Sequence, residues 1–233
     1  MDSACISPIQ ESTGYGLTGK GIIVAAIDSG IDYSHPAFLD ENGESRIMYI
    51  WDQNIDGTPP EGFTLGVEYN NETINEALKS ENKDERLLFL PHEDTNGQGT
   101  AVTGVATGYD RASGYSGAAT KASIIAVKLK VIDRFNYNMT RTSDLMRGIK
   151  YVTKKAQAAN MPLSINISLG TNNGTHNGES LFEQFLDNAA NEWYLNIVVA
   201  TGNEGMYGHP YRGKIDSHTI QDIELTKVQG LQE

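Results

Sequence analysis

Gly21-Ile22-Ile23-Val24-Ala25-Ala26-Ile27-Asp28-Ser29-Gly30 decides how this chain folds. A continuous apolar run without polar alternation, stopped by a polar turn, marks a strand covered on both faces, as in a parallel sheet between helices. Asp28 then stands at the C-terminal tip of a central strand. Residues from about 40 to 91 are polar, rich in Asn, Glu, Gly and Pro, and predict irregular surface structure with one helix near Ile74 to Lys79. After Gly99 the small residues Ala101, Val102, Gly104, Val105 and Ala106 predict a helix with a thin side that passes close beneath the sheet, with residue 98 at its start. Residues 123–131 form the next apolar strand. Leu145, Ile149, Val152 and Ala156 recur at helical spacing behind Ser143, a candidate N-cap, and residues 163–170 follow as a strand. Phe182, Phe185, Leu186, Ala189 and Trp193 mark an amphipathic helix that feeds a strand at 197–200. Alternating strands and helices place the chain in the α/β class with a mostly parallel sheet. Ligands of such sheets bind at the carboxyl ends of the strands, so Asp28, Gly170 and Asn203 are expected to converge.

Composition narrows the partners. The 233 residues carry 30 acidic and 18 basic side chains, a formal charge of −12. An acidic surface with no Lys/Arg cluster excludes general binding of nucleic acid or anionic membrane, and reads as a solvated exterior. Cys5 is a lone cysteine, so no internal disulfide framework or all-cysteine metal site forms. The first residues have neither a basic lead nor an apolar core, hence no signal peptide or membrane span is expected in this chain. No repeat or low-complexity segment stands out. The length suits one α/β domain, with a boundary near Gly208.

Four motifs in order resemble the subtilisin-like serine proteases, the subtilases. Asp28-Ser29-Gly30-Ile31-Asp32 with His35-Pro36 is similar to their aspartate motif, Gly97 to Gly104 to their histidine motif, Ile165 to Gly170 to their substrate-binding strand, and Ala200 to Gly205 to their oxyanion turn. Tyr49-Ile50-Trp51-Asp52-Gln53, Gly57-Thr58-Pro59-Pro60-Glu61-Gly62-Phe63 and Gly208-His209 further resemble the Csp germination subtilases of spore-forming bacteria. The resemblance implies a subtilisin-like three-layer fold with the C-terminal part missing from this chain. It divides the sequence into an N-terminal arm (1–17), the subtilase part (18–208) and the start of a β-sandwich-like insertion (209–233), with first strands within 220–228.

What the family's chemistry implies falls residue by residue. A serine attacks a peptide carbonyl only when an imidazole takes its proton and an aspartate orients that imidazole. Asp28 matches the orienting aspartate. Asn203 matches the oxyanion donor, and Ser168-Leu169-Gly170 the strand that pairs with an extended peptide, Gly170 leaving room for it. Gln98 occupies the position of the histidine, and a carboxamide has no lone pair that titrates near neutral pH. Ala101 stands where many relatives have a second histidine. The nucleophile motif, Gly-Thr-Ser-Met-Ala-like, is absent from this chain.

The expectation is therefore a pseudoprotease that binds a polypeptide: a prodomain, a partner subtilase or a cortex-hydrolase precursor, in the cortex or coat region of a spore. The alternative is part of an active endopeptidase whose Gln98 is engineered or compensated by His92. A small-molecule-binding doubly wound domain would need a phosphate-cradling glycine turn, and the two carboxylates of Asp28 and Asp32 repel phosphate. His35 is expected to pack and turn. His176, His209 and His218 lack metal-ligand spacing. Subtilases often bind calcium, but Asp52, Asp56, Asp94 and Asp110 make no complete loop and are expected to be solvated. No cofactor or metal site is assigned. A fragment lacking the strands after Asn203 is expected to expose a sheet edge and self-associate.

Overall fold

The computed structural model describes residues 4–11, 14–110, 112–134, 137–170, 177–192 and 194–202. By internal contacts the chain divides into Met1–Gly202 and Asn203–Glu233. The second unit, with Asn203, His209, His218 and the expected insertion, lies outside the described residues, as does His176.

The elements follow in the order α1 (Ser7–Gln10), β1 (Ile23–Asp28), β2 (Ile47–Asp52), β3 (Val67–Asn70), α2 (Asn71–Leu78), α3 (Lys83–Phe89), α4 (Gln98–Thr107), β4 (Tyr109–Asp110), β5 (Tyr115–Ser116), β6 (Ser123–Lys128), β7 (Ile132–Arg134), β8 (Tyr137–Met139), α5 (Thr142–Ala159), β9 (Leu163–Ile167), α6 (Leu181–Glu192) and β10 (Leu195–Val199). The pairs β4–β5 and β7–β8 are small two-stranded antiparallel sheets. The main sheet runs β10-β9-β1-β6-β2-β3, parallel throughout except that β3 returns antiparallel to β2.

All six residues of β1 are buried, as the unbroken apolar run requires. Its side chains alternate between two cores. Ile23, Ala25 and Ile27 join Ile125, Val127, Ile165, Ile167 and the inner face of α5, Leu145, Ile149, Val152 and Ala156, with α6 packed at the margin. On the other face Ile47, Ile50, Ile124 and Ala126 pack with Ile31, Phe38, Leu90 and Ile74 of α2. Strand periodicity of two thus supplies the layers. Among the described residues β10 is the last strand on its side of the sheet, and its Val198 and Val199 are exposed. Among the described residues no helix is long and apolar enough to cross a membrane.

Two expectations need correction. Residues 40–91 are not irregular surface: they hold β2, which pairs with β6 inside the sheet, together with β3, α2 and α3. Ile47, Ile50 and Trp51 are fully buried, so a six-residue strand was hidden in polar surroundings. Asn70 and Asn82 cap the two helices, accepting from the amides of Thr73 and Asp84. Ser143 is not an N-cap; α5 begins one residue earlier with Arg141 at the cap position and no side-chain cap.

Candidate functional site

The tip of β1 and the first turn of α4 are joined by a polar clamp. The Ser29 hydroxyl donates to Asp94 Oδ1 at 2.8 Å and accepts the Gly99 amide at 3.0 Å. Asp94 Oδ2 accepts both the amide and the hydroxyl of Thr100, at 2.8 and 2.6 Å, and Oδ1 also takes the Gly97 amide. The Thr100 hydroxyl in turn accepts the Asp32 amide at 2.8 Å. Burial works against ionisation of Asp94, but the Thr100, Ser29 and Gly97 donors outweigh it and hold the carboxyl below its ordinary range. These bonds fix where residue 98 starts its helix. Gly99 allows the closeness, since a Cβ there would overlap the Gly30 carbonyl oxygen.

Asp28 is 2 % exposed. Its Oδ1 accepts the Ser29 amide at 2.6 Å, while Oδ2 is buried without a hydrogen-bond partner among the described residues. Burial raises its carboxyl above the ordinary range, against the lowering by Ser29. A group whose folded pKa is raised stabilises fully only below its unfolded pKa, and that contribution is lost as pH rises through the folded value. Asp28→Asn is therefore expected to melt about 2–4 °C above wild type at pH 7, the shift about 1 kcal/mol gives a domain of this size. The gap should close as pH is lowered toward 4. Thermal melts of the full-length protein across pH 4–8 check this, and a lower-melting variant at pH 7 would refute the assignment of Asp28 as a strained, buried anion.

Gln98 is the first residue of α4, is exposed, and its Nε2 donates to the Ser168 carbonyl at 2.9 Å. Strand β9 ends at Ile167, and Asn166 Nδ2 donates to Ser168 Oγ at 2.8 Å. Leu169 packs against the core of β1 and β9. Asp28, Gln98 and Ser168 thus come to one rim of the sheet. A Cβ at Gly170 would meet the Gly202 Cα at 2.7 Å, so that glycine admits the neighbouring backbone. Asn203 follows Gly202 directly and lies outside the described residues.

His92 and Asp52 form a second buried constellation behind the clamp. His92 Nδ1 lies 2.7 Å from Asp52 Oδ2, and Nε2 accepts the Ile31 amide at 3.2 Å. That amide makes Nδ1 the donor toward Asp52. Burial disfavours the Asp52 anion, but the hydrogen bond from His92, the Asn54 amide and Lys128 together hold its carboxyl below the ordinary range. Both ring nitrogens are committed and the ring is 1 % exposed, so His92 is a structural post and no stand-in base. Asp52 and Asp94 are accordingly not solvated surface carboxylates. His35 does turn and pack, accepting the Ala37 amide and lying against Phe38. Among the described residues no group of three or more His, Cys, Asp or Glu is placed to hold a metal ion. Asp94 had one visible signal, its place three residues before Gly97; Asp52 had another, closing an apolar run as Asp28 does.

Comparison with known proteins matches the subtilase family, peptidase S8, to residues 19–223. Subtilisin of Bacillus sp. (strain TA39) is 27% identical over 201 residues, 84% of this chain and 36% of that protein. Subtilisin E of Bacillus subtilis (strain 168) is 29% identical, covering 87% and 39%. Among solved structures the Clostridium perfringens CspB protease is similar with a TM-score of 0.77 and 39% identity, over 89% of this chain and 41% of that one. The chain spans roughly two-fifths of the length of these relatives.

Proposed function

Because this chain belongs to the subtilase family, we propose that it is part of a pseudoprotease, which grips a polypeptide at the Ser168–Gly170 strand and does not cut it. One observation carries the reading: at the head of α4, where the family's histidine belongs, stands Gln98, whose amide is bonded to the Ser168 carbonyl while Asp28 Oδ2 has no hydrogen-bond partner among the described residues. Proton transfer from a serine needs an acceptor that titrates near working pH, and a carboxamide offers none. Removing the base of a serine triad costs roughly a millionfold in kcat, leaving what oxyanion donors and binding supply. Binding asks for less, since backbone pairing along an added strand and pockets for alternate side chains survive loss of the base.

The likeness to the CspB protease and the Csp-like motifs favour a place in spore germination, at the cortex or coat. The polypeptide is then a prodomain, a partner subtilase or a cortex-hydrolase precursor. The test uses the full-length gene product with a fluorophosphonate probe and unfolded casein. We expect casein to bind without fragments and no serine to be labelled. Labelling together with fragments from the protein that carries Gln98 would overturn the reading.

A further inference from the structure

Resting on that reading, a regulatory contact follows from where the Gln98 amide points. The Ile167 carbonyl accepts the Ala200 amide on the β10 side, and the β1–β9 ladder ends at Ile27 opposite Ile167. Successive carbonyls of an extended chain point to opposite sides. The Ser168 carbonyl therefore turns away from β10, over the end of β1, on the side where, among the described residues, no strand pairs with the chain beyond β9. Gln98 Nε2 already donates to that oxygen at 2.9 Å. An incoming polypeptide paired along 168–170 must offer an N–H to the same oxygen from the same side.

The geometry points to Gln98 as an internal competitor for the polypeptide: its carboxamide mimics the N–H of an added strand and stands on the approach that one takes to the Ser168 carbonyl. The exchange is mild because Gln98 is exposed, and its freed amide passes into water. The latch is one neutral hydrogen bond, whose net worth corresponds to roughly two- to tenfold in affinity. A glutamine at the histidine position thus does more than silence the site; it covers the recognition strand until a better donor arrives.

The experiment titrates full-length protein into fluorescein-labelled, reduced and carboxymethylated casein, read by anisotropy and stopped-flow. Gln98→Ala removes the amide, and Gln98→Met keeps the bulk without a donor. Both are expected to bind casein roughly two- to tenfold tighter than wild type, chiefly through faster association. Unchanged or weaker binding in both, with wild type still binding and not cleaving, overturns the competitor and leaves the pseudoprotease reading standing. Tightening in Gln98→Ala alone assigns the effect to bulk and also overturns it. Casein cleavage by wild type defeats the pseudoprotease reading itself, and absence of binding by all three proteins defeats both.

Discussion

Replacing His92 with alanine is expected to lower the unfolding free energy of the full-length protein by about 3 kcal/mol, the cost of leaving a buried carboxylate without its hydrogen-bond donor. Asp52 would keep a carboxylate that is 1 % exposed, with the backbone and side-chain amides of Asn54 on Oδ1 and Lys128 Nζ, at 3.8 Å, as its remaining support. The Ile31 amide would lose the acceptor that shapes the chain after the β1 tip. Acid should narrow the difference. A carboxyl held below its unfolded pKa contributes stability above that value and loses it as pH falls through the folded one, so wild type gives up part of its advantage below about pH 4. Urea unfolding at pH 7 and pH 4 measures both terms, and a loss under 1 kcal/mol at pH 7 would show that the pair is not a structural post.

Gly99→Ala should cost about 3 kcal/mol, the upper end for overpacking, because the new methyl meets backbone and not the end of a flexible side chain. The Gly30 carbonyl it strikes has little room to yield, since a Cβ at Gly30 would itself lie 3.3 Å from His92, the Glu93 carbonyl and Lys128. Helix α4 must then draw back from β1, lengthening the bond from the Gly99 amide to Ser29 and loosening the clamp through Asp94. Alanine's better helix propensity, up to about 1 kcal/mol, is too small to reverse the sign. Gly104→Ala in the same helix is the internal control. A Cβ there meets nothing within 4 Å, so that variant is expected to gain stability, by up to about 1 kcal/mol. Chemical denaturation of the two variants checks the pair, and equal effects would disprove the close crossing of α4 over β1.

Much of this was legible in the residues. The β1 run and the small side chains after Gly99 are strong local signals, because full burial and close helix approach each demand a restricted set of residue types. Gln98 was placed at the start of a helix for the same reason. The second strand was not, since Ile47 to Asp52 is short and set in polar sequence, and its burial is decided by β6, far along the chain. Carboxylates were misjudged on similar grounds. Asp52 and Asp94 look like any exposed aspartate until His92, Ser29 and Thr100 are folded around them. Gly170 has a second reason to be glycine, the Gly202 backbone beside it, which no local pattern in the sequence announces.

The crossed order of the sheet also sets a timetable. Ile23 of the central strand must wait for Ser123 on one side and Leu163 on the other, so the emerging polypeptide carries its most apolar segment unpartnered until both have been synthesised. Contacts this distant in sequence make for slow assembly. During that interval the nascent chain has its own net negative charge to keep it dispersed.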